Sequence, residues 1–226
     1  MNMTLIKSFT IFIFLLGFGF QLSAQQATES DYFEGTISFT VQMKGPQAEM
    51  LKLNNPNDQL QMHIKDGNYI VNLMGGEFPK TFIFLADSNF EYSMDMTNRR
   101  AYRFSMHSDL NKEIYKKELT AKPTGKELEI NGIMCQEYRL KRDEIYFTYY
   151  VSDKYRINLE HYPENTRAKA SFLAEGLGGM IPLRTIKQEK GLTVITDLKK
   201  ISRREFDPEQ FQIPADFIVK NRDYRY

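Results

Sequence analysis

The sequence predicts a mainly β protein: a single curved antiparallel sheet, half-barrel-like, with two or three short helices packed on its concave side. Three observations support this prediction. Apolar and polar residues alternate with a period of two in many short segments, as in half-buried strands. Asp-Gly and Asn-Gly pairs stand between such segments, and these pairs favour two-residue hairpin turns. The segments follow one another too closely for the long crossovers that parallel strands need.

The first half of the chain has the clearest strand patterns. Alternation over residues 37–43 predicts the first strand. Asp66-Gly67 lies at the centre of residues 60–73 and predicts a hairpin. In that hairpin three apolar pairs share one face of the sheet, which specifies the register: Ile64 with Tyr69, Met62 with Val71, and Leu60 with Leu73. Residues 81–85 are apolar at successive positions, which indicates a strand covered on both faces.

The second half continues the pattern. Asn131-Gly132 predicts a further hairpin over residues 127–140, where the apolar positions move after Cys135 to Tyr138 and Leu140. This change of face predicts a bulge or a strand covered on both sides. Five further strands are expected over residues 90–96, 102–106, 145–151, 181–187 and 192–201.

Two segments have the pattern of short helices. Ser108 can cap a helix over residues 109–119, and Asn165 can cap a helix over residues 166–177. A third stretch, residues 46–57, is expected to contain a single helical turn around Met50 and Leu51.

Residues 1–24 have the pattern of a cleavable signal peptide. A cation at Lys7 precedes an apolar run over residues 9–20, which ends in small and polar residues at Ser23 and Ala24. This predicts cleavage after Ala24, a single mainly β domain over residues 25–226, and a periplasmic or secreted product. An uncleaved anchor is the alternative, but a membrane span needs about 20 apolar residues and this run is shorter.

Charge and cysteine content exclude several classes of function. Without residues 1–24 the 30 Lys and Arg residues lose only Lys7 and equal the 29 Asp and Glu residues. This balance gives no electrostatic reason to expect a nucleic acid or an acidic membrane surface as partner. The single cysteine, Cys135, cannot form an internal disulfide, and a buried thiol is usually a small apolar residue.

No catalytic or metal-binding pattern is present. None of the three histidines has a second ligand at metal-binding spacing: His63, His107 and His161. Ser105, His107 and Asp109 are too close in sequence to converge as a triad. Glu127 and Glu129 share one face of a strand, where carboxylates are usually solvated. We therefore expect no enzyme activity, no metal and no cofactor.

The apolar content is the feature that indicates a function. The chain has 17 Phe, 13 Tyr and 11 Met residues but no Trp. Flexible Met and aromatic side chains suit a cavity for an acyl chain, although an ordinary self-filled core has the same composition. The candidate ligand-lining residues at predicted inward positions are Met62, Ile64, Tyr69, Val71, Phe90, Tyr92, Met94, Phe104 and Phe172.

Several segments carry a family resemblance. They are residues 63–69, 84–87, 130–138, 179–183 and 206–214, the most specific being Asn-Gly-x-x-Cys-x-x-Tyr from Asn131 and Gly-x-x-Pro-Leu from Gly179. Together they resemble an uncharacterised family of secreted Bacteroidetes-type proteins, a domain of unknown function.

A more distant resemblance rests on the Asp66-Gly67 hairpin, the aromatic strand after Asp87 and the terminal Phe-x-Ile-Pro from Phe211. In these features the chain is similar to the periplasmic lipoprotein carriers and the outer-membrane lipoprotein receptor. That resemblance implies a half-barrel closed by helices around an apolar cavity for acyl chains. By position, Arg167 is the candidate for the arginine with which the carriers latch their lid.

The sequence therefore favours a non-catalytic envelope protein that binds or carries an apolar or lipid ligand. The alternative is a structural or protein-interaction module of the envelope whose core is filled by its own side chains. A hydrolase with a site assembled from distant residues is the third interpretation. The expected partners are an acyl-chain ligand or an envelope protein, with no nucleic acid and no membrane span after cleavage.

Overall fold

The computed structural model describes residues 32–54, 58–76, 79–106, 120–162 and 176–222. Within these ranges it contains twelve strands, one α-helix and two short 3-10 helices. The strands are β1 (Gly35–Lys44), β2 (Gln59–Lys65), β3 (Asn68–Met74), β4 (Lys80–Leu85), β5 (Phe90–Asp95), β6 (Arg100–Ser105), β7 (Lys122–Ile130), β8 (Ile133–Arg142), β9 (Ile145–Arg156), β10 (Met180–Glu189), β11 (Leu192–Arg203) and β12 (Ile218–Asn221). The helices are α1 (Ala48–Asn54) and the 3-10 helices Leu159–His161 and Pro208–Phe211.

All twelve strands form one sheet, which is not closed. Its order is β12-β6-β5-β4-β3-β2-β1-β11-β10-β9-β8-β7, so β12 and β7 are the edges. The predicted mainly β, antiparallel sheet is confirmed for ten of the eleven neighbouring pairs. Strand β12 was not among the predicted strands, and its pair is parallel: Ile218 of β12 lies opposite Arg100 of β6.

The two predicted hairpins have the expected registers. Ile64 is paired with Tyr69 and Met62 with Val71 in the β2–β3 hairpin, and Ile130 is paired with Ile133 at the β7–β8 turn. Both turns place two consecutive residues at positive φ, with Gly67 and Gly132 each at 77°. Asp-Gly and Asn-Gly tolerate this conformation best, which explains why the turns could be read from the sequence.

The predicted irregularity around Tyr138 is a β-bulge, and it lies in the partner strand. The register of β7 shifts between Pro123, opposite Tyr138, and Glu127, opposite Gln136. Gly125 within this stretch has a φ of 77°. Strand β8 itself pairs with β9 without a shift, so the change in its apolar pattern reflects burial on both of its faces: Cys135 belongs to the largest cluster and Leu140 to a second one.

Both faces of the sheet carry buried side chains between β2 and β6. We call them the Tyr69 face and the Ile83 face, after a buried residue on each. Strand pairing places Phe84 on the Tyr69 face, opposite Tyr69, and Tyr92 on the Ile83 face, opposite Ile83. Phe84 is 0% exposed and its neighbour Ile83 is 5% exposed, so β4 is covered on both sides, as predicted.

The Tyr69 face carries the largest buried cluster of the described residues. Its centre is a stack of three rings, with centroids 4.9 Å apart for Tyr69 and Phe84 and 5.8 Å apart for Phe84 and Tyr162. Tyr162 follows the first 3-10 helix and is 1% exposed. Stacked rings of this kind contribute dispersion and quadrupole energy beyond the area that they bury.

One of the expected helices is confirmed within the described residues. Helix α1 occupies the stretch where a helical turn was predicted, but Met50 and Leu53 are 60% and 85% exposed, so these two apolar side chains do not pack on the sheet. The helices predicted over residues 109–119 and 166–177 fall almost wholly outside the described ranges. Within those ranges no helix has the length and apolar character that a membrane span requires.

Candidate functional site

The predicted ligand-lining residues lie on two opposite faces of the sheet. Met62, Ile64 and Val71 share the Tyr69 face with Tyr69 itself, and the pairing of β5 with β6 places Phe104 there as well. The same pairings place the other strand residues of the list on the Ile83 face: Phe90, Tyr92 and Met94. The structure therefore does not bring the candidates together around one cavity. Phe172 and Arg167 lie outside the described residues.

On the Tyr69 face the candidates form a packed core. Met62, Ile64 and Tyr69 are between 0% and 2% exposed, and Tyr162 and Phe33 belong to the same buried cluster. The Tyr69 hydroxyl donates a hydrogen bond of 2.8 Å to Glu91. Side chains packed in this way stabilise the fold and, in the part of the chain that is described, leave no open space for a ligand at these positions.

On the Ile83 face a segment after β11 covers the sheet. Phe206 and Phe211 are 7% and 3% exposed and meet edge to face, with ring centroids 5.6 Å apart. Asp207 caps the 3-10 helix between them by accepting a hydrogen bond of 3.0 Å from the Glu209 amide. Lys65 of β2 donates a hydrogen bond of 2.7 Å to the Phe206 carbonyl, which ties the segment to the sheet.

A groove of about 410 Å³ lies between this segment and the sheet, and we call it the C-terminal groove. Its apolar walls come from both sides: Ile70, Ile83, Met94 and Met96 from the sheet, and Phe206, Phe211 and Pro214 from the segment. Polar lining residues are His63, Asn72, Thr81, Arg204, Gln210 and Gln212. Met96 is 60% exposed, so a ligand in the groove would cover apolar surface that is now in water.

His63 is the titratable group of the groove that is partly buried. Its Nδ1 lies 3.0 Å from the Thr36 hydroxyl, and its ring meets Phe206 edge to face at 5.3 Å between centroids. Burial, followed by the nearby Arg204 charge, lowers the pKa of His63 below its usual value. The imidazole is therefore held in its neutral form, which suits an apolar wall with one polar edge.

The groove has no arrangement for nucleophilic catalysis among the described residues. His63 makes its hydrogen bond to Thr36, and no carboxylate within the described ranges orients the ring, as general-base catalysis at a triad would need. Cys135 is buried on β8, and burial raises the pKa of its thiol, so it is poorly ionised. No three His, Cys, Asp or Glu side chains of the described ranges are grouped as metal ligands.

Sequence reasoning found only part of this groove. Met94 was a candidate, but the wall formed by Phe206 and Phe211 was noted only as a resemblance. A local pattern was available there, because Asp207-Pro208 is a helix-capping pair between two aromatic residues five apart. The position of that wall against β3 and β4 depends on a long-range contact that no local pattern encodes.

The sequence matches the family model described as "Domain of unknown function (DUF4412)" over residues 33–217. The chain belongs to the DUF4412 family. The expected membership of a family of unknown function is therefore confirmed, while the Bacteroidetes origin stays a prediction. Among curated proteins, none has a matching sequence.

Several solved structures match the DUF4412 chain at low sequence identity. PNGF-II matches with a TM-score of 0.50 and 12% identity, over 84% of this chain and 31% of PNGF-II. The DUF4412 chain thus spans about a third of that protein's length. An uncharacterised conserved protein from Thermus thermophilus matches with a TM-score of 0.48 and 10% identity, over 84% of this chain and 91% of that one. The Mycobacterium tuberculosis lipoprotein LppX matches with a TM-score of 0.37 and 7% identity, over 77% and 89% of the two chains.

Proposed function

We propose that this DUF4412 protein is a non-catalytic binding protein of the cell envelope that holds an apolar or lipid ligand in the C-terminal groove. The observation that carries the proposal is an open groove with mainly apolar walls. Its volume of about 410 Å³ falls within the range of small-molecule sites. The pattern of a signal peptide in residues 1–24 supports the location.

The chemistry of the walls supports an elongated apolar ligand with one polar end. Met94 and Met96 are unbranched and adapt to irregular ligands. Arg204 and His63 lie together at the polar side of the groove, where Arg204 stands over the Phe206 ring at 5.2 Å. A carboxylate at one end of an acyl chain would find a cation there while its methylenes cover Met96.

A fatty-acid titration tests this proposal. A long-chain fluorescent fatty acid is added to the mature protein, to Met96→Glu and to Met134→Glu. Met134 is the matched control because it is 55% exposed on β8. We expect Met96→Glu to weaken binding about tenfold or more, since burying a Met side chain contributes about 1.5–3 kcal/mol. The control should bind like the unmodified protein.

A second measurement identifies the ligand. Native mass spectrometry with organic extraction, applied to protein purified gently from its own envelope, should reveal a bound lipid or acyl species in near-stoichiometric amount. A bare mass, together with no uptake of added fatty acid, contradicts the proposal.

The alternative is a structural or interaction module of the envelope. The filled Tyr69 face favours it, because Tyr162 packs against Phe84 where a carrier would need space. In that case the fatty acid would bind neither the unmodified protein nor its variants, and the C-terminal groove would be a packing gap between two parts of one chain.

A further inference from the structure

A second groove lies on β7–β10, far along the sheet from the C-terminal groove in strand order. Its volume is about 670 Å³. Three of its lining residues are cations and none is an acid: Lys122, Arg139 and Lys141. Thr120, Thr148 and Gln188 add neutral hydrogen-bonding groups, and Tyr146 adds an exposed ring. We call this the basic groove.

The strand pairing forces the three cations together. Lys122 of β7 lies directly opposite Arg139 of β8, and Lys141 follows two residues later on the same face. Strand geometry separates such neighbours by roughly 5–7 Å. Like charges directly opposite each other destabilise a sheet, so this arrangement costs free energy unless an anion lies between them.

Three acids close in sequence to the groove residues are engaged in ion pairs, one with Arg139 of the groove and two with cations outside it. Glu137 lies 2.9 Å from Nε of Arg139, Glu144 lies 3.1 Å from Lys190, and Glu189 lies 2.9 Å from Lys187. Within the described ranges, the acids that form ion pairs do so with residues other than Lys122 and Lys141. The groove therefore carries excess positive charge on a chain whose overall charge is balanced.

Arg139 is held beside a buried carboxylate while its own side chain stays exposed. Glu137 is 4% exposed and accepts a hydrogen bond of 2.9 Å from the Tyr150 hydroxyl. Its Oε1 lies 2.9 Å from Nε of Arg139, and the side chain of Arg139 is 59% exposed, so the guanidinium is accessible to a ligand. The Lys141 ammonium is also positioned, 5.1 Å above the centre of the Tyr146 ring.

We propose that the basic groove binds a phosphate-bearing ligand. A phosphate group accepts several hydrogen bonds at once, and the free end of a guanidinium matches its geometry while lysines act as point charges. The hydroxyls of Thr120 and Thr148 and the amide of Gln188 supply neutral donors beside them. The ligand can be a soluble phosphate compound or a phospholipid headgroup. This site is independent of the C-terminal groove and of the function proposed for it.

Isothermal titration of the mature protein with inorganic pyrophosphate tests the site, in parallel with co-sedimentation on phosphatidylglycerol and on phosphatidylcholine vesicles. The groove variant carries Lys122→Gln and Lys141→Gln. The control carries Lys154→Gln and Lys200→Gln, two exposed lysines outside the groove, and so has the same net charge. All three proteins are compared by thermal melting to establish that they are folded.

We expect saturable pyrophosphate binding that weakens with salt and that falls about tenfold or more in the groove variant, because each hydrogen bond to a charged group is worth about 1.5–3 kcal/mol. The control should bind like the unmodified protein. Pyrophosphate binding without vesicle binding indicates a soluble ligand, and phosphatidylglycerol binding that the groove variant loses indicates a headgroup. Absence of both, or an equal loss in groove variant and control, overturns the proposal. Met96→Glu should change neither result.

Discussion

The contact between the β2–β3 turn and the first 3-10 helix can be tested with a pair of glycines. Gly67 and Gly132 occupy the same position in two hairpin turns and have the same φ of 77°. A Cβ added at Gly132 would meet nothing within 4 Å, whereas at Gly67 it would lie 2.8 Å from Cγ and Nδ1 of His161 and closer still to its Cβ. The two Gly→Ala substitutions therefore share their backbone cost and differ in one contact.

The expected magnitudes follow from that difference. A non-glycine residue in the left-handed region destabilises the folded state by about 1–2 kcal/mol. Alanine also reduces the conformational entropy of the unfolded chain, which stabilises the protein by about 0.4–1 kcal/mol. Gly132→Ala should thus lower the free energy of unfolding by about 0–1.6 kcal/mol. Gly67→Ala adds an overpacking cost of about 1–3 kcal/mol against His161, for a total of about 1–5 kcal/mol.

Urea unfolding followed by tyrosine fluorescence measures both variants, since the chain has 13 Tyr and no Trp. A third protein, Gly67→Ala with His161→Gly, removes the clashing side chain and should be less destabilised than the sum of its two single substitutions. Equal destabilisation of Gly67→Ala and Gly132→Ala, or strict additivity in the double variant, would refute the close approach of His161 to the turn.

The remaining predictions concern the core and two titratable groups. Phe84→Ala should cost about 3–5 kcal/mol in urea unfolding, because its ring is the middle of the aromatic stack, while Met134→Ala on the surface should change stability by less than about 0.5 kcal/mol. The pKa of His63 is lower in the folded state than in the unfolded chain. Between the folded-state pKa and about 6.5, the unfolded chain therefore binds more protons than the folded protein, and the free energy of unfolding should fall as the pH falls through this window. His63→Gln should make the free energy of unfolding depend less on pH in the same window. Burial opposes ionisation of Glu137, but hydrogen bonds from Tyr150 and Thr124 and the charges of Arg139 and Lys126 outweigh it and lower the pKa. Tyr150→Phe should therefore lower the free energy of unfolding by about 1.5–3 kcal/mol at neutral pH. The loss should be smaller in acid, where the protonated Glu137 makes a weaker hydrogen bond, and an equal loss at both pH values would contradict this prediction.

Local pattern was sufficient to predict strands β1 to β11 and the two hairpins with Asp-Gly and Asn-Gly turns. Asp66-Gly67 and Asn131-Gly132 specify their turns through backbone conformation, and apolar alternation on either side then leaves one register with the apolar residues together. Both registers were confirmed for that reason. Strand β12 could not be found in this way. Ile218 and its neighbours are exposed and show no alternation of burial, and their pairing with β6 depends on the return path of residues 204–217.

The candidate site could be predicted less well, because alternation shows which residues of one strand share a face but not which face it is. Both faces of strand β4 are apolar. Its sequence therefore does not show which of its residues lie on the same face as the apolar residues of β3 and of β5. The structure pairs Phe84 with Glu91, and this register places Tyr92 and Met94 on the Ile83 face. The ligand-lining candidates chosen from the sequence therefore included residues from two opposite faces of the sheet.

The two edges of the sheet are unequal, and this limits how copies of the chain could add to one another. Along β7, Pro123 lacks an amide donor, the bulge interrupts regular spacing, and Lys122 and Lys126 repel a second basic strand. Along β12, Ile218 and Val219 are 61% and 47% exposed on a regular strand. Among the described residues, β12 is therefore the edge that can accept a strand of a second molecule, and a pair of two β12 strands would be self-complementary. Such a pair uses up this edge in both molecules, so pairing through β12 alone ends at a two-fold dimer.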